Sequence, residues 1–235
     1  MSAQQSKSGV QVTWLGHSAF KLVSPEGKVV LIDPFLANPK CPAEYKDASK
    51  VKADFICVTH DHVDHLGDAL AIAKNTGARI VAVTDVGRSI IEQGIEGSKV
   101  SAFHVGGTVK VDNLSFSLVK AFHSSAHGVP VGVIVGFSSG FKVYHAGDTE
   151  IFGDMAFVRR LYQPDLALVP IGGFYTMDAK AASIACRELI QAQHVIPMHY
   201  GTMPVLAPDA DEFKQLMMGS NIQVITPQPG DTVTF

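Results

Sequence analysis

The sequence predicts an α/β fold, a four-layer αββα sandwich in which two mixed β-sheets pack face to face and helices cover their outer sides. Short runs of β-forming residues alternate with segments of helical composition, and this alternation occurs in two sets, so the two halves are alike in element order. Hydrophobic residues make up 46% of the 235 residues and charged residues 17%, which supplies the apolar surface for a large core. Because no low-complexity tract or strong linker interrupts the chain, we expect residues 1–235 to form one domain.

The first half opens with short strands and then alternates strands with helices. A turn at 25–27, which contains proline and glycine, predicts a hairpin between the second and third strands. Three prolines over 34–50 predict an irregular loop before the next strand. The predicted strands lie at 10–15, 18–23, 28–32, 53–59 and 79–83, and the predicted helices at 66–76 and 86–93.

The second half has the same mixture of strands and helices. Asp112 and Asn113 predict a tight hairpin turn, and Asp178 is the expected N-cap of an alanine-rich helix. The predicted strands lie at 100–103, 108–111, 114–121, 131–138, 141–144, 166–170 and 194–197, and the predicted helices at 154–161, 178–191 and 209–218. Two short strands are expected to end the chain.

Charge and cysteine content restrict the class of protein. The formal net charge of −3 gives no basic excess, so we expect no nucleic-acid partner. Cys41, Cys57 and Cys186 are odd in number and far apart, which predicts reduced thiols and not a disulfide framework. We see neither an apolar leader nor a run of about 18 apolar residues, and therefore expect a cytoplasmic protein that does not bind a membrane.

The strongest chemical signal is a loop of histidines and carboxylates between a predicted buried strand and a predicted helix. His60, His62, Asp64 and His65 lie within six residues in the segment T-H-D-H-V-D-H-L-G-D at 59–68. Imidazole and carboxylate groups suit zinc, manganese or iron. In an extended chain an H-x-H pair faces one side, and the following turn directs Asp64 and His65 elsewhere, so one loop can serve two adjacent metals.

One loop cannot complete two coordination shells, so further ligands must come from distant parts of the chain. Side chains at strand ends are suitable, because the strand fixes their position while the loop exposes them. Each of the candidates stands just after a predicted strand: Asp33, His123, Asp148 and His199.

This series of residues resembles the metallo-β-lactamase superfamily in order and spacing over nearly the whole chain. The H-x-H-x-D-H loop is highly specific for that superfamily. The flanking sequences L-G-H-S-A-F at 15–20 and P-I-G-G at 170–173 look like a branch of small bacterial and archaeal metal-dependent hydrolases. That branch is similar to L-ascorbate 6-phosphate lactonases and, more distantly, to N-acylphosphatidylethanolamine phospholipase D.

The resemblance implies two divalent metal ions, for which we expect zinc first, with manganese or iron as alternatives. It assigns His60, His62 and His123 to the first ion, Asp64, His65 and His199 to the second, and Asp148 to a bridge between them. It also implies that Asp33 hydrogen-bonds to a ligand and fixes its orientation. Residue types alone do not assign each ligand to a particular ion.

Four further residues have alternative interpretations. His127 can replace His123 as the ligand, but His123 stands closer to the strand end and matches the superfamily's position, so we expect His127 to face substrate. Tyr175, after two glycines, either donates a hydrogen bond to a developing oxyanion or packs in a tight turn. We expect His17 to be packed or to support a ligand, and His145 to be structural.

We expect a hydrolase in which a metal-bound hydroxide, oriented by Asp64, attacks a lactone, an ester or a similar bond of a small-molecule substrate. One alternative is a phosphodiesterase, phospholipase D-like or nuclease-like, on the same dinuclear site. Another, outside the enzymes, is a metal-bound ligand sensor. Di-iron redox enzymes of this fold are disfavoured, because their loop resembles H-x-E-x-D where this chain has His62. Oligomeric state is not predicted by the sequence.

Overall fold

Two seven-stranded mixed sheets form the centre of the protein, as seen in a computed structural model that describes residues 9–235. The first sheet contains β1 (Gln11–Trp14), β2 (Phe20–Val23), β3 (Val29–Ile32), β4 (Phe55–Cys57), β5 (Arg79–Val83) and β6 (Val100–Phe103). The second contains β7 (Thr108–Val111), β8 (Leu114–Lys120), β9 (Val131–Gly136), β10 (Lys142–His145), β11 (Leu166–Pro170), β12 (His194–Met198) and β13 (Gln223–Val224). The last strand, β14 (Thr232–Thr234), returns to pair with β1 in the first sheet.

The helices pack on these sheets and on one another. They are α1 (Val63–Leu66), α2 (Ala69–Thr76), α3 (Thr84–Glu92), α4 (Met155–Tyr162), α5 (Ala179–Ile184) and α6 (Asp211–Met217). Helices α2 and α3 contact β5 of the first sheet, while α5 packs against α6. The central strands β9 and β11 are buried along their whole length, as expected for strands covered on both faces. The predicted sandwich of two mixed sheets with helices is confirmed.

Strand direction brings distant loops to one edge of the sandwich. Strands β3 to β6 run parallel in the first sheet, and β10 to β12 run parallel in the second. Strand β8 is antiparallel to β9, which is antiparallel to β10, so β8 and β10 point the same way. The loops that follow β3 and β4 carry Asp33 and the histidine loop, and those after β8, β10 and β12 carry the remaining candidates.

Two predicted helices differ from the observed ones. The helix predicted at 66–76 begins later, as α2 at Ala69, and an unpredicted short helix, α1, ends at Leu66. The two are separate because Gly67 adopts φ 43° and the backbone N–H of Asp68 donates to the carbonyl of Pro34 at 2.9 Å. A Cβ at Gly67 would lie 2.6 Å from that carbonyl oxygen, so the turn requires glycine. The helix predicted at 178–191 begins at the expected N-cap and continues from α5 as a π-helical segment, Ala185–Ile190.

The cysteines and the helices bear on two further expectations. Cys41, Cys57 and Cys186 are buried and unpaired, which confirms that they form no disulfide. Burial raises the pKa of the Cys186 thiol to about 12, so it is not a reactive thiolate. Within residues 9–235, none of the helices has both the length and the apolar character needed to cross a bilayer.

Candidate metal centre

The histidine loop follows β4, and its side chains converge at the edge of the sandwich where the loops after β3, β8, β10 and β12 also lie. His60 and His65 are fully buried, while His62 and Asp64 are partly exposed. His60 Nε2 lies 3.0 Å from His62 Nδ1, so the H-x-H pair points at one position as predicted. His65 lies on α1, which starts after the N-cap residue His62, and its ring centroid is 4.1 Å from that of His60.

The ligand atoms of the candidate residues form two groups. The outer group is His60, His62 and His123, and the deep group is Asp64, His65 and His199 together with His17. Within each group every residue offers a nitrogen or oxygen atom that lies within 4.8 Å of the others. Such spacing is compatible with three or four ligands around one ion, since metal–ligand bonds of about 2 Å place neighbouring ligand atoms roughly 3–4 Å apart.

Asp148 lies between the two groups. Its Oδ1 is 3.1 Å from His65 Nε2, and its Oδ2 is 3.1 Å from His199 Nε2 and 3.7 Å from His123 Nε2. With His60 and His65 it forms a third set of atoms within the same 4.8 Å limit. A single carboxylate therefore contacts histidines of both groups.

A hydrogen-bond network behind the ligands fixes two imidazoles. Asp33 accepts from the backbone N–H and the hydroxyl of Thr59 at 2.8 and 2.6 Å, and from His65 Nδ1 at 2.7 Å. The Thr59 oxygen, having donated its proton to Asp33, accepts from His60 Nδ1 at 3.0 Å. These bonds hold a proton on Nδ1 of both histidines and direct Nε2 at the centre, where it would ligate a metal once it carries no proton.

Three residues at the centre have left-handed backbone conformations, with φ of 54° for His17, 47° for Asp33 and 60° for His199. Such angles are uncommon outside glycine and are concentrated at functional sites. Asp33 and His199 directly follow β3 and β12, His17 lies in the turn between β1 and β2, and all three side chains are buried. Gly172 allows the His199 turn, because a Cβ there would lie 2.1 Å from the His199 carbonyl oxygen.

His17 supports the deep group from the first sheet. Its Nε2 lies 3.0 Å from Asp64 Oδ2, and its Nδ1 lies 2.6 Å from the Thr202 hydroxyl. Burial lowers the pKa of His17 to about 4, so the ring is neutral near pH 7. A neutral ring that donates through Nε2 and accepts from Thr202 satisfies both contacts and holds the Asp64 carboxylate in place.

The deep group concentrates negative charge that the protein's lysines and arginines do not neutralise. Asp33, Asp64 and Asp148 form ion pairs only with histidines among the described residues. Burial alone would lower the pKa of His199, but Asp148 and Asp64 outweigh it and raise that pKa to about 9. Burial is likewise outweighed at His65, whose pKa Asp148 and Asp33 hold well above its ordinary value. The surroundings thus favour positive charge at this point.

The residues present fit divalent cations. His65 Nε2, Asp148 Oδ1 and His199 Nε2 are buried and lack an aligned hydrogen-bond partner among the described residues. Buried polar atoms without partners are costly and call for an explanation, which a bound ion supplies. The donor set of imidazoles and carboxylates is the one preferred by zinc and also accepted by manganese and iron.

The structure places His123, and not His127, in the outer group. His127 is half exposed and its Nδ1 lies 2.5 Å from Asp61 Oδ2. Asp61 also accepts from Ser125 Oγ and from the backbone N–H groups of Ala126 and His127 at 2.8 to 2.9 Å. These bonds outweigh burial and lower the pKa of Asp61 to about 2, so a charged carboxylate ties the His127 loop to the metal loop.

Tyr175 lies in the segment after β11, and its ring is about half exposed. It contacts Phe174 edge-on, with ring centroids 4.8 Å apart. Both aromatic residues line a cavity of about 510 Å³ that also reaches His123. His145, predicted to be structural, is fully buried and bonds to the Ser18 carbonyl at 2.9 Å.

Several residues of the centre carry no recognisable sequence signal of their own. Thr59 and Asp61 alternate with the histidines, but nothing in the sequence shows that one hydroxyl serves both Asp33 and His60. The Thr202 hydroxyl lies in a loop without a motif and meets His17 from a distance of 185 residues along the chain. The sequence signals for His17 are its place in the L-G-H-S-A-F segment at 15–20 and its position after Gly16, between two predicted strands.

Comparison with known proteins agrees with this architecture. The family model described as a beta-lactamase superfamily domain matches residues 11–199. A UPF0173 metal-dependent hydrolase of Rubrobacter xylanophilus is 42% identical over 241 residues, covering 97% of this chain and 98% of that protein. A second, from Chelativorans sp., is 41% identical, covering 95% of this chain and 99% of the relative.

A solved structure extends the comparison. Igni18, a metallo hydrolase from the hyperthermophilic archaeon Ignicoccus hospitalis, superposes with a TM-score of 0.89 and 39% identity, covering 97% of this chain and 99% of that one. The shared fold is the metallo-β-lactamase sandwich. The chain therefore belongs to the β-lactamase superfamily and, within it, to the UPF0173 family of metal-dependent hydrolases.

Proposed function

We propose that this protein is a hydrolase that uses two divalent ions, zinc in the first place, to cleave a lactone, an ester or a similar bond in a small molecule. The main support for this proposal is the position of Asp148, whose two oxygens contact histidines of both the outer and the deep group. Membership of a family of metal-dependent hydrolases supports the reaction class. In this proposal His60, His62 and His123 hold one ion, Asp64, His65 and His199 hold the other, and Asp148 is shared between them, while His17 supports Asp64.

Divalent ions bound by these residues would lower the pKa of a bound water toward about 7 and would polarise a substrate oxygen. The protein's own residues hold and orient the reactants. Asp64 Oδ2, which receives a hydrogen bond from His17 Nε2, is fixed at the mouth of the deep group and orients the attacking water. Asp33 and Thr59 keep the imidazoles of His65 and His60 in the ligating tautomer.

Two residues at the rim are proposed to contact the substrate. Tyr175 offers a phenol at the cavity that reaches His123, where it can donate to an oxygen that gains negative charge. His127 donates through Nδ1 to Asp61, which leaves its Nε2 for a substrate group. The pair resembles other Asp–His arrangements in which the carboxylate sets the tautomer of the ring.

The test is hydrolysis by metal-reconstituted protein of a small panel: acyl lactones, a phosphorylated sugar lactone, a simple ester and bis(p-nitrophenyl) phosphate. We expect turnover of the lactones or the ester, abolished in His62→Ala, because that change removes a ligand of the outer group. A Phe157→Ala variant is the matched control and should keep full activity, because Phe157 is exposed on α4 in a groove whose described lining contains no candidate metal ligand.

The outcomes separate the alternatives. Turnover of the phosphodiester alone would replace the proposed chemistry with phosphodiester hydrolysis at the same site. Unchanged turnover by a His62→Ala protein of verified sequence would contradict the proposed site. An inert protein that binds two ions would contradict hydrolysis of this panel and favour a ligand sensor.

A further inference from the structure

A cleft opens beside the outer group and shares a wall with it. Its volume is about 510 Å³, and His123 lines it together with segments that follow β8, β10 and β11. Because His123 belongs to both the outer group and the cleft wall, a molecule whose reacting bond lies at the centre can extend directly into this space. The volume matches the lower part of the range for small-molecule sites.

The cleft wall carries large apolar side chains that the fold leaves exposed. Phe122, Phe174 and Tyr175 are 62%, 72% and 51% exposed and come from two separate loops. Exposed aromatic side chains that gather at one opening indicate a binding surface, since scattered single ones need no such explanation. The three rings thus form an aromatic wall next to a candidate metal ligand.

The aromatic wall is held by the loop that carries Asp148. Thr149 accepts through its hydroxyl from the backbone N–H of Phe122 at 2.9 Å, and through its carbonyl from that of Met177 at 3.0 Å. Phe174 and Tyr175 lie in the segment that Met177 ends. Thr149, the residue after Asp148, therefore positions both loops of the aromatic wall, so the cleft is formed before a ligand binds.

The carboxylates of Glu150 and Asp178 line the cleft. Among the described lining residues there is neither lysine nor arginine. The Asp178 carboxylate caps α5 by accepting from the backbone N–H of Ala181 at 2.7 Å. The exposed carboxylate of Glu150 forms no ion pair with any residue that the structure describes. A phosphate or carboxylate placed beside Glu150 would meet a like charge, with no lysine or arginine among the described lining residues to compensate it.

We infer that this cleft is a subsite for an uncharged aromatic or aliphatic part of the substrate and that Glu150 disfavours anionic groups in it. The inference rests on the proposed function and narrows its substrates to esters or lactones with an apolar, non-phosphorylated substituent. A second apolar groove contains Phe157 and Leu161 and serves as a comparison surface, since none of its described lining residues is a candidate metal ligand.

Binding of two matched fluorescent probes tests the subsite without any need for turnover. N-phenyl-1-naphthylamine is uncharged, and 8-anilinonaphthalene-1-sulfonate has the same ring skeleton with a sulfonate. The zinc-loaded protein should bind the uncharged probe about tenfold more tightly than the sulfonate. Phe174→Ser and Phe122→Ser should each weaken the uncharged probe several-fold, while Phe157→Ser, in the second groove, should not.

A separate variant tests whether Glu150 disfavours anionic groups. Glu150→Gln should strengthen sulfonate binding about threefold, the size expected for one exposed charge, and leave the uncharged probe unchanged. Equal affinity for both probes in the native protein, or unchanged binding in Phe174→Ser and Phe122→Ser, would overturn the subsite. No effect of Glu150→Gln on the sulfonate would overturn the role of Glu150.

Kinetics then separate this inference from the proposed function. With p-nitrophenyl acetate, butyrate and octanoate, kcat/KM should rise with chain length in the native protein, and the rise should be lost in Phe174→Ser. Hydrolysis that is independent of chain length would contradict the subsite but leave the proposed function intact. Probe binding as expected together with no hydrolysis of any ester or lactone would contradict the proposed function but not the subsite.

Discussion

The outer and deep groups of the metal centre are built from different chemistry. The outer group is three imidazoles, of which His62 and His123 are partly exposed. The deep group combines buried histidines with the Asp64 carboxylate and is reinforced by His17 and Asp33. An ion in the deep group would therefore meet more negative charge and more preorganised ligands than one in the outer group.

This difference indicates a division of labour within one centre. The deep group, with its charged and hydrogen-bonded surroundings, is suited to hold an ion tightly. The outer group adjoins the aromatic cleft through His123 and is suited to meet the substrate. We expect the two ions to bind with unequal affinity, and the following changes should break or sharpen that inequality.

The largest effect is expected at the residue that both groups share. Asp148→Asn should weaken binding of both ions by more than about 100-fold, since even residues that only support a ligand account for 10–100-fold. Metal content after dialysis and turnover of the best substrate measure the effect. Asp154→Asn, an exposed carboxylate paired with Lys120 at 3.0 Å, is the control and should retain both ions. If Asp148→Asn retained both ions after dialysis, the claim that Asp148 joins the outer and deep groups into one metal centre would be wrong.

A pair of ligand deletions should separate the groups. His62→Ala should leave about one ion per chain, held by the deep group, whereas His199→Ala should destabilise the more tightly held ion. Titration of the metal-free variants by calorimetry measures the two affinities. If both deletions removed the same ion, the division into an outer and a deep group would be wrong.

Removal of the support behind the deep group should have a smaller effect. In Asp33→Asn the new asparagine tolerates φ 47°, but the negatively charged carboxylate that accepts three hydrogen bonds is lost. We expect a 10–100-fold loss, on the order of that for other ligand-supporting residues, in affinity of the deep ion. The NH₂ group of the new asparagine would face hydrogen-bond donors and lack an acceptor, so the free energy of unfolding should fall by about 1–3 kcal/mol.

Asp54→Asn is the matched control for that change. Asp54 accepts from the backbone N–H of Val29 at 2.8 Å at the opposite end of β3, far from the ligands. It should lower stability without changing metal affinity. Equal metal affinities of native and Asp33→Asn protein would show that Asp33 is structural only.

The smallest expected effect concerns the buried histidine behind the deep group. His145 accepts from the Gly147 N–H at 3.1 Å and donates to the Ser18 carbonyl, and burial lowers its pKa below the ordinary 6.5. Below about pH 6.5 the unfolded chain binds a proton that the folded protein does not, so His145 makes stability fall as pH decreases. The limiting slope is about 1.4 kcal/mol per pH unit for one proton.

Urea denaturation of native and His145→Gln protein between pH 5 and 7.5 checks this contribution. The variant should be less stable at pH 7.5, where native His145 makes both hydrogen bonds, and the difference should narrow toward pH 5. A constant difference over that interval would show that His145 is not held neutral in the folded protein.

Much of the fold follows from local patterns. Strands such as β5 and β11 are apolar runs with polar, glycine or proline boundaries, and their limits match the prediction at every residue. The break between α1 and α2 could not be predicted, because it depends on the approach of Gly67 to the Pro34 carbonyl, a contact between loops that follow two different strands. Likewise, nothing in the alanine-rich sequence after Ile184 indicates a π-helical segment.

The same distinction holds at the centre. The histidine loop is local, so the sequence alone identifies it, and strand ends suggest Asp148 and His199. The superfamily resemblance, not spacing, assigned them to ions. The contacts of Thr59, His17 and Asp61 depend on how the two sheets are aligned and on which ring nitrogen of each histidine carries the proton. A single polar residue in the sequence indicates neither of these.

The most direct test of the central claim is anomalous diffraction at the zinc edge from crystals of the zinc-loaded protein, combined with metal analysis of the same sample. We predict two ions per chain. One peak should lie among His60, His62 and His123, the other among Asp64, His65 and His199, and both should contact Asp148. A single peak, or two peaks of which either lies away from Asp148, would contradict the account.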